Sequence, residues 1–366
     1  MSRLSSRILL FSNVLKRVWK HPFRRQPKSI KRILIAHHLL LGDTIMLTPL
    51  VAKAREQFPD AEIVLLTPKA ITDLYQSKPY GTTAVPYDPK DINTLQNLLK
   101  KPGYDLALIP GDNRYSWLAY ALNSKWIKAF KEDKMTYKSW PIDELIPYSN
   151  KPSNWADMTA ELINGPEPQP FNSEDWPVPE LEPYDQPEKP FCVLHVGASN
   201  KLRTWKASKW RQVADHLTEK GYTVAWSAGK NETQLVSEID TDSKYLSTAG
   251  KLSLTQLFDL IKNAELLICP DTGIAHIGKI TGTCTITIFG QGSPQLFGVG
   301  HFWRNNHFDS IFIDSISCRD QTHIFKRNLE WIKRCNRNEL KCVNPKCISS
   351  ISAEMLITQI NKNLGI

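Results

Sequence analysis

From residue 32 onward, short runs of apolar residues alternate with longer amphipathic stretches, and this alternation restricts the possible folds. The short runs have the length of buried strands, and the longer stretches have helical spacing of apolar residues. Alternating strands and helices form parallel sheets with helices on both faces, so the sequence predicts an α/β fold. The predicted strands are 32–37, 62–67, 105–110, 191–196, 222–227, 265–269 and 284–289, and the predicted helices include 44–57, 207–220, 231–239 and 253–263.

Residues 166–190 interrupt the alternation with eight Pro and seven acidic residues in 25 positions. Proline removes an amide donor and fixes φ, so this stretch is predicted to be an extended linker. The chain of 366 residues is long enough for two domains, which we place at 32–165 and 191–350. Because such domains bind ligands outside the carboxyl ends of their strands, the sheets are expected to face a central cleft that holds the ligand.

The net charge of +9 is concentrated in an arm formed by residues 1–31. Residues 1–32 contain ten Lys or Arg and no acidic residue, whereas the other 334 residues carry 36 basic and 37 acidic residues. A general nucleic-acid-binding protein would spread positive charge over a folded face, so no nucleic-acid partner is expected. The pattern indicates a basic arm on a nearly neutral body.

Apolar residues of the arm recur at helical spacing, at Leu4, Ile8, Phe11, Leu15 and Val18. The spacing predicts an amphipathic helix, with basic residues and Ser on the remaining positions. Such a helix can lie on an anionic membrane surface; the alternative is a helix packed on the protein's own surface. No apolar run approaches the roughly 20 residues of a membrane-spanning helix.

Seven Cys without a secretory signal indicate a reducing compartment, so a cytoplasmic protein is expected. Four of them cluster late in the chain, with 16, 6 and 4 residues between them. This spacing differs from that of a zinc ribbon, and structural zinc, free buried thiols and a local disulfide remain open. The clustered residues are Cys318, Cys335, Cys342 and Cys347.

Asp43 directly follows the first predicted strand and opens the first predicted helix. Gly42 before it allows a tight turn. A carboxylate at this place could accept a proton from an attacking hydroxyl. The alternative is that Asp43 or Thr44 only caps the helix.

Two loops of the second domain have the composition of anion-binding sites. After strand 191–196, the run 197–205 offers small residues, Ser199 and the cations Lys201 and Arg203, which suits a phosphate but also an ordinary solvated loop. After strand 265–269, Asp271, Thr272, Gly273 and His276 can offer amides to an anion and a carboxylate to sugar hydroxyls. Helix capping and packing of the His are the alternatives there. Glu232, after strand 222–227, could accept from ribose hydroxyls or sit in the first turn of a helix.

Taken together, these motifs resemble glycosyltransferase family 9, the heptosyltransferases of lipopolysaccharide core assembly. The resemblance extends over roughly residues 32–300, with the motifs in the same order. The matching residues are Gly42, Asp43, Thr48, Pro49, 58–63, 197–199, Gly229, Glu232, 252–254, Asp271, Thr272, Gly273 and His276.

The resemblance implies a GT-B fold and an inverting transfer that needs neither a metal nor a cofactor. The donor would be a nucleotide-diphosphate sugar, usually ADP-heptose, and the acceptor a lipid-linked core oligosaccharide at the inner face of the inner membrane. By the same resemblance, the last helix, 351–366, would cross back to the first domain.

The resemblance also implies the roles of the candidate residues. Asp43 would be the general base, and Arg114 would meet an acidic acceptor. The donor would be bound by Ser199, Arg203, Glu232, Asp271, Thr272, Gly273 and His276. Two other functions are open, a GT-B-type nucleotide-sugar epimerase and a non-catalytic nucleotide-sugar-binding protein. The basic arm argues against the first, and the presence of Asp43 argues against the second.

Overall fold

The computed structural model describes residues 3–132 and 137–366, which form two compact units. Unit 1 comprises Met1–Gln169, Asp175–Pro179 and His323–Leu329, and unit 2 comprises Pro170–Glu174, Glu180–Thr322 and Glu330–Ile366. The first passages of the chain from one unit to the other fall inside the Pro-rich stretch 166–190. A later, short return to unit 1 was not predicted.

The strands and helices alternate as expected from the apolar pattern. The strands are β1 Arg32–Ile35, β2 Glu62–Thr67, β3 Thr82–Pro86, β4 Leu106–Ile109, β5 Trp126–Phe130, β6 Glu144–Ile146, β7 Phe191–His195, β8 Thr223–Ser227, β9 Leu246–Ser247, β10 Leu266–Pro270, β11 Thr285–Phe289, β12 Phe308–Phe312, β13 His323–Ile324 and β14 Arg327–Asn328. The α-helices are α1 Arg3–Leu15, α2 Leu41–Ile45, α3 Thr48–Gln57, α4 Lys69–Thr72, α5 Ile92–Leu99, α6 Tyr115–Ala121, α7 Trp155–Ala160, α8 Ala207–Glu219, α9 Thr233–Ile239, α10 Leu254–Lys262, α11 Gly273–Thr281, α12 Pro294–Phe297, α13 Lys346–Ser349 and α14 Ala353–Leu364.

Each unit is built on a parallel sheet, which confirms the α/β prediction. Within the described residues, unit 1 has the strand order β3-β2-β1-β4-β5-β6, and unit 2 has the order β12-β11-β10-β7-β8-β9. The paired strands within each of these sheets run parallel. In both sheets the first strand lies in the middle, the next two strands extend the sheet on one side, and the following strands extend it on the other side. The strand order therefore reverses between β1 and β4 in unit 1 and between β7 and β10 in unit 2. Parallel sheets of this kind bind ligands at the carboxyl ends of the strands that flank the reversal.

The predicted helix 44–57 is two helices in the structure, α2 and α3. Pro49 lies in the first turn of α3, where the amide hydrogen that it lacks would have no partner within the helix. A helix that came from the preceding residues could not continue through Pro49, because its ring would clash with the preceding turn. The break places Asp43 in a short helix of its own directly above the sheet edge.

The predicted helix of the basic arm is α1, and it packs on α5 and α6 of unit 1. Leu9, Leu10 and Val14 make that contact, with Val14 buried. Most of the stripe predicted from the sequence faces away from unit 1, although the Phe11 ring also lies 5.7 Å from the Trp117 ring of α6. Its members Leu4, Ile8, Phe11 and Leu15 are 63%, 62%, 47% and 72% exposed, whereas Val18 lies beyond the end of α1, in the short 3₁₀ helix Val18–Phe23.

The C-terminal helix α14 is grouped with unit 2, and the predicted crossing to the first domain stays a prediction. Leu356 and Ile360 insert into the apolar core of unit 2, and Trp205 donates a hydrogen bond to the Ile351 carbonyl at 3.0 Å. Burial of this apolar face fixes the helix on α8. Beyond the Pro-rich stretch, the segment His323–Leu329 returns to unit 1.

Over residues 3–132 and 137–366, no helix has both the length and the apolar character that crossing a bilayer requires.

Candidate functional site

Asp43 lies at the carboxyl edge of the unit 1 sheet, beside the point where the strand order reverses. It is the third residue of α2, which begins a few residues after β1 ends. The N-cap position of α2 is occupied by Leu40, which has no side chain suited to capping, so Asp43 is not the cap residue. The half-buried carboxylate is held in the first turn by a rigid helix, a position from which it can accept a proton from a substrate.

His37 lies in the loop between β1 and α2 and was not recognised from the sequence. Its Nδ1 accepts the Leu39 amide hydrogen at 3.1 Å, so the ring proton is on Nε2. Nε2 is buried and has no hydrogen-bond partner among the described residues. Burial lowers the pKa of His37 to about 3, so the ring is neutral. The sequence feature that could have drawn attention to His37 is a polar residue at the end of an apolar run.

Arg114 follows β4, the neighbour of β1, and therefore emerges at the same sheet edge as Asp43. Its guanidinium is half exposed and lies 2.6 Å from the carboxylate of Asp112. Lys138 contacts the other oxygen of Asp112 at 3.1 Å. Burial alone would raise the pKa of Asp112, but hydrogen bonds from Arg114 and Lys138 lower it to about 2. The two cations share one carboxylate, which leaves positive charge at this edge.

In unit 2, Thr272 and Gly273 begin α11 directly after β10. Thr272 occupies the N-cap position, yet its hydroxyl does not cap the helix and is buried without a partner in the described structure. Capping therefore does not account for this hydroxyl. The first amides of a nine-residue helix and an unpartnered hydroxyl are together of the kind that can bind an anion.

Two further polar atoms near the start of α11 are buried without a partner in the described part of the chain, Arg203 Nε and His276 Nδ1. Arg203 Nη1 donates to the Asp271 carbonyl at 2.6 Å, which brings the loop after β7 against the loop after β10. Burial raises the pKa of Asp271 and lowers that of His276. Unpartnered buried atoms also occur elsewhere in the described chain, but three of them come from the start of α11 and the loop that contacts it, where a ligand could pair with them.

Glu232 lies over two glycines at the ends of β7 and β8. Its carboxylate accepts the Gly229 amide hydrogen at 3.1 Å. A methyl group on Gly197 would lie 2.3 Å from Glu232 Oε2 and 3.2 Å from the Nε2 atom of His195. The glycine thus leaves room for a carboxylate at the sheet edge, where it can accept hydrogen bonds from hydroxyl groups. His195 was not singled out from the sequence; its Nδ1 lies 3.0 Å from Ser227 Oγ.

Ser199 lies in the same loop as Arg203 but is exposed. Lys201, the other cation of that loop, lies 3.7 Å from Glu339 and is 84% exposed. The structure therefore joins Arg203, rather than Lys201, to the buried groups around α11. Within each unit, the predicted residues come from loops at the same sheet edge.

The late cysteines are free thiols, as are the other three of the seven. Cys335 and Cys347 are buried, and Cys318 and Cys342 are half-buried. Across the described ranges, no group of three or more His, Cys, Asp or Glu is arranged to hold a metal ion.

Comparison with known proteins gives one consistent set of similarities. The model of glycosyltransferase family 9, described as heptosyltransferase, matches residues 92–328. Lipopolysaccharide core heptosyltransferase OpsX of Haemophilus influenzae is 24% identical over 289 residues, covering 74% of this chain and 82% of that protein.

Two solved structures are similar over nearly their whole length. A family 9 glycosyltransferase from Veillonella parvula matches with a TM-score of 0.68 at 18% identity, covering 93% of this chain and 99% of that one. The Escherichia coli ADP-heptose lipopolysaccharide heptosyltransferase II matches with a TM-score of 0.67 at 15% identity, covering 92% and 98%. These matches confirm the GT-B fold expected from the resemblance.

Proposed function

The chain belongs to glycosyltransferase family 9, and we propose that it transfers heptose from ADP-heptose to an acceptor sugar of the lipopolysaccharide core, with inversion at the anomeric carbon. The observation that carries the proposal is the set of unpaired buried atoms at the start of α11, Thr272 Oγ1, Arg203 Nε and His276 Nδ1. A diphosphate supplies the acceptor oxygens that a hydroxyl, a guanidinium and helix amides require.

The remaining donor contacts follow from the neighbouring side chains. Glu232 would accept hydrogen bonds from the ribose hydroxyls, and Asp271 from hydroxyls of the transferred sugar. Ser199 would donate to the diphosphate from the exposed side of the loop. His276, with its neutral ring, can donate or accept without adding charge.

In the proposed reaction the acceptor hydroxyl oxygen attacks the anomeric carbon opposite the diphosphate. The bond between that carbon and the diphosphate oxygen breaks, and its electron pair leaves with ADP. Asp43 takes the proton of the attacking hydroxyl. Arg203 and the amides of Thr272 and Gly273 stabilise the charge that grows on the departing diphosphate, where their effect on the barrier is greatest.

Incubation of the purified protein with ADP-heptose and a truncated core lipid tests this proposal. The expected products are ADP and a lipid whose mass has increased by one heptose. Proton magnetic resonance of the product reports the anomeric configuration, which should be opposite to that of the donor. Absence of transfer with every truncated core lipid would contradict the proposal, and retention of configuration would contradict the inverting mechanism.

Replacing Gly197 with Ala is expected to weaken ADP binding by at least about tenfold, because the added methyl group would displace the Glu232 carboxylate. Isothermal titration calorimetry with ADP measures the effect. The matched control is the double variant Gly197→Ala/Glu232→Ala. The methyl group added at position 197 cannot clash with the carboxylate when Glu232 is truncated to Ala, so the double variant should bind ADP as tightly as Glu232→Ala does. Additive losses of ADP affinity in the double variant would show that the Gly197 substitution acts in another way than by displacing Glu232.

We also propose that α1 places the enzyme on the anionic surface of the inner membrane. Its outward stripe of Leu4, Ile8, Phe11 and Leu15 is exposed and lies among exposed cations. Apolar side chains that insert between acyl chains, together with cations near anionic head groups, are the features of membrane-surface helices. A cytoplasmic enzyme docked in this way would meet its lipid-linked acceptor at a raised effective concentration.

The position of α1 in unit 1 supports this proposal. The rings of Phe11 and Trp117 are 5.7 Å apart, and Tyr120 donates to the Arg17 carbonyl at 2.9 Å, so α1 runs in the same direction as α6, which begins just after Arg114. The first turn of α1 therefore lies near the sheet edge that carries Asp43 and Arg114. A lipid-linked acceptor held at this edge would have the membrane-binding helix beside it.

The double variant Ile8→Glu/Leu15→Glu is expected to bind vesicles of phosphatidylglycerol and phosphatidylethanolamine at least about tenfold more weakly, because it removes apolar contact and adds negative charge. Co-sedimentation measures the bound fraction. Leu340→Glu/Val343→Glu is the matched control, since these apolar residues of unit 2 are 91% and 92% exposed. Equal loss in both variants, or no loss in either, would contradict the assignment to α1.

A further inference from the structure

A seven-residue segment, His323–Leu329, leaves unit 2, joins unit 1 and then returns to unit 2. It forms the antiparallel hairpin of β13 and β14, in which Ile324 pairs with Arg327. Phe325 and Lys326 are left as a two-residue turn. Nothing in the proposed function uses this hairpin.

Arg327 fastens the hairpin to the ligand-binding edge of unit 1. Its buried guanidinium donates to the Gly111 carbonyl at 2.9 Å and to Asn113 Oδ1 at 2.8 Å, both in the loop after β4. It also donates to the carbonyls of Phe130 at 2.8 Å and Lys131 at 3.0 Å, at the end of β5. The hairpin is thus built onto the loops where strands β4 and β5 end.

The turn has a strained backbone. Phe325 has φ of 42° and Lys326 has φ of 67°, the left-handed conformation that residues with a Cβ atom disfavour. Hairpin turns with positive φ at both positions normally use Asn and Gly. A sequence that keeps Phe and Lys here retains strain, which is typical of places where the side chains themselves are needed.

Phe325 extends toward the loop between β1 and α2, the helix that carries Asp43. Its ring is 5.0 Å from the ring of Trp155. A methyl group on Gly111 would lie 3.6 Å from the Phe325 ring and 3.5 Å from Leu39, so both side chains border the same small space. Leu39 precedes α2 and Asp43 by a few residues. The half-buried aromatic ring therefore forms part of the surface beside the proposed base.

Lys326 is exposed at the tip of the turn. Its neighbour Arg327 donates to Gly111 and Asn113, the residues on either side of Asp112, and the hydrogen bond and positive charge of Lys138 lower the pKa of Lys326. Lys138 also contacts Asp112, the partner of Arg114. The turn therefore lies at the edge that carries Asp112 with Arg114 and Lys138, and Lys326 adds an exposed cation there.

We propose that the Phe325–Lys326 turn is a specificity-determining part of the acceptor site. The face of Phe325 packs against the apolar face of an acceptor sugar ring, and the ammonium of Lys326 binds an anionic group of the acceptor, a carboxylate or a phosphate. This inference rests on the proposed function, because it takes unit 1 as the acceptor-binding unit.

The double variant Phe325→Asn/Lys326→Gly tests the proposal, since it keeps the hairpin and removes both side chains. The unfolding midpoint should be equal to or higher than that of the wild type, and the affinity for ADP should stay within about twofold. The kcat/KM for the core-lipid acceptor should fall by about 30-fold. The matched control is Lys78→Gly, because Lys78 is another exposed Lys with positive φ, 52°, and precedes β3 at the opposite edge of the same sheet.

The single variant Lys326→Met separates the two sources of negative charge. On a truncated core lipid its kcat/KM should fall by about tenfold. If Lys326 binds a phosphate of the acceptor, Lys326→Met and the wild type should have the same kcat/KM on a core lipid from which the phosphates have been removed. If Lys326 binds a carboxylate of the acceptor, the difference in kcat/KM should persist on that lipid. Wild-type kcat/KM in both the double variant and Lys326→Met would overturn the inference, whereas absence of transfer by the wild type would instead contradict the proposed function.

Discussion

Replacing Asp43 with Asn is expected to lower the turnover number for sugar transfer by about 10³-fold and to leave the affinity for ADP within about twofold. Asn has nearly the same shape and keeps a hydrogen-bonding oxygen, but it cannot take the proton of the attacking hydroxyl. The loss should therefore appear in kcat rather than in the binding of the donor. Initial rates of product formation at saturating donor and acceptor measure it.

Asp60→Asn is the matched control for this substitution. Asp60 is an exposed aspartate that precedes β2, at the edge of the same sheet opposite to Asp43. Its replacement should leave kcat unchanged, since neither proton transfer nor packing depends on it. Turnover by Asp43→Asn within about threefold of the wild type would remove Asp43 from the role of general base, even though the family assignment would stand.

The sequence pattern identified the other interior strands of the two sheets but missed β5, an interior strand of unit 1 whose apolar run is interrupted by Lys128, and it missed the edge strands. The predicted strands β1, β2 and β4 of unit 1 and β7, β8, β10 and β11 of unit 2 are apolar runs buried on both faces. The strands β3, β6, β9 and β12 have mostly half-buried residues and lie at sheet edges. Because edge strands need fewer apolar residues, their sequences resemble those of loops.

The same limit applies to the candidate site. Asp43, Thr272 and Gly273 lie next to strongly predicted strands, so local sequence is enough to place them at a sheet edge. The hairpin could not be predicted in this way, because Arg327 and Asn113 are 214 positions apart and neither has a distinctive local pattern. Only the folded chain shows that a segment of the second half completes the edge of the first unit.

For α1, periodicity predicted the helix but not its orientation. Both the stripe that includes Ile8 and the stripe that includes Val14 are apolar, and apolar spacing alone cannot tell which of them packs on the protein. The structure buries the second stripe and leaves the first exposed. The two alternatives considered for the arm, packing on the protein and binding to a membrane, are therefore compatible with each other.

Replacing Arg327 with Ala is expected to lower the free energy of unfolding of unit 1 by about 3–5 kcal/mol. Arg327 is 2% exposed, and its guanidinium donates to the loops after β4 and β5 and, through Nη1, to the Phe325 carbonyl at 2.6 Å. Truncation would leave several buried carbonyls without a donor, and hydrogen bonds from a charged group contribute more than neutral ones. Urea denaturation with amide hydrogen exchange of β4 and β5 measures the loss and assigns it to unit 1.

Two comparisons separate this role from a general effect of removing a cation. Arg327→Lys keeps the charge but cannot donate in several directions from one plane, so it should still lose about 2 kcal/mol or more. Arg304→Ala in unit 2 removes an exposed guanidinium that donates to the His301 carbonyl at 2.9 Å, and should change the stability by less than about 0.5 kcal/mol. If Arg327→Ala unfolded with wild-type stability, the hairpin would not be fastened to unit 1 by this side chain, and the strained turn at its tip would lack the support that keeps Phe325 beside the loop between β1 and α2.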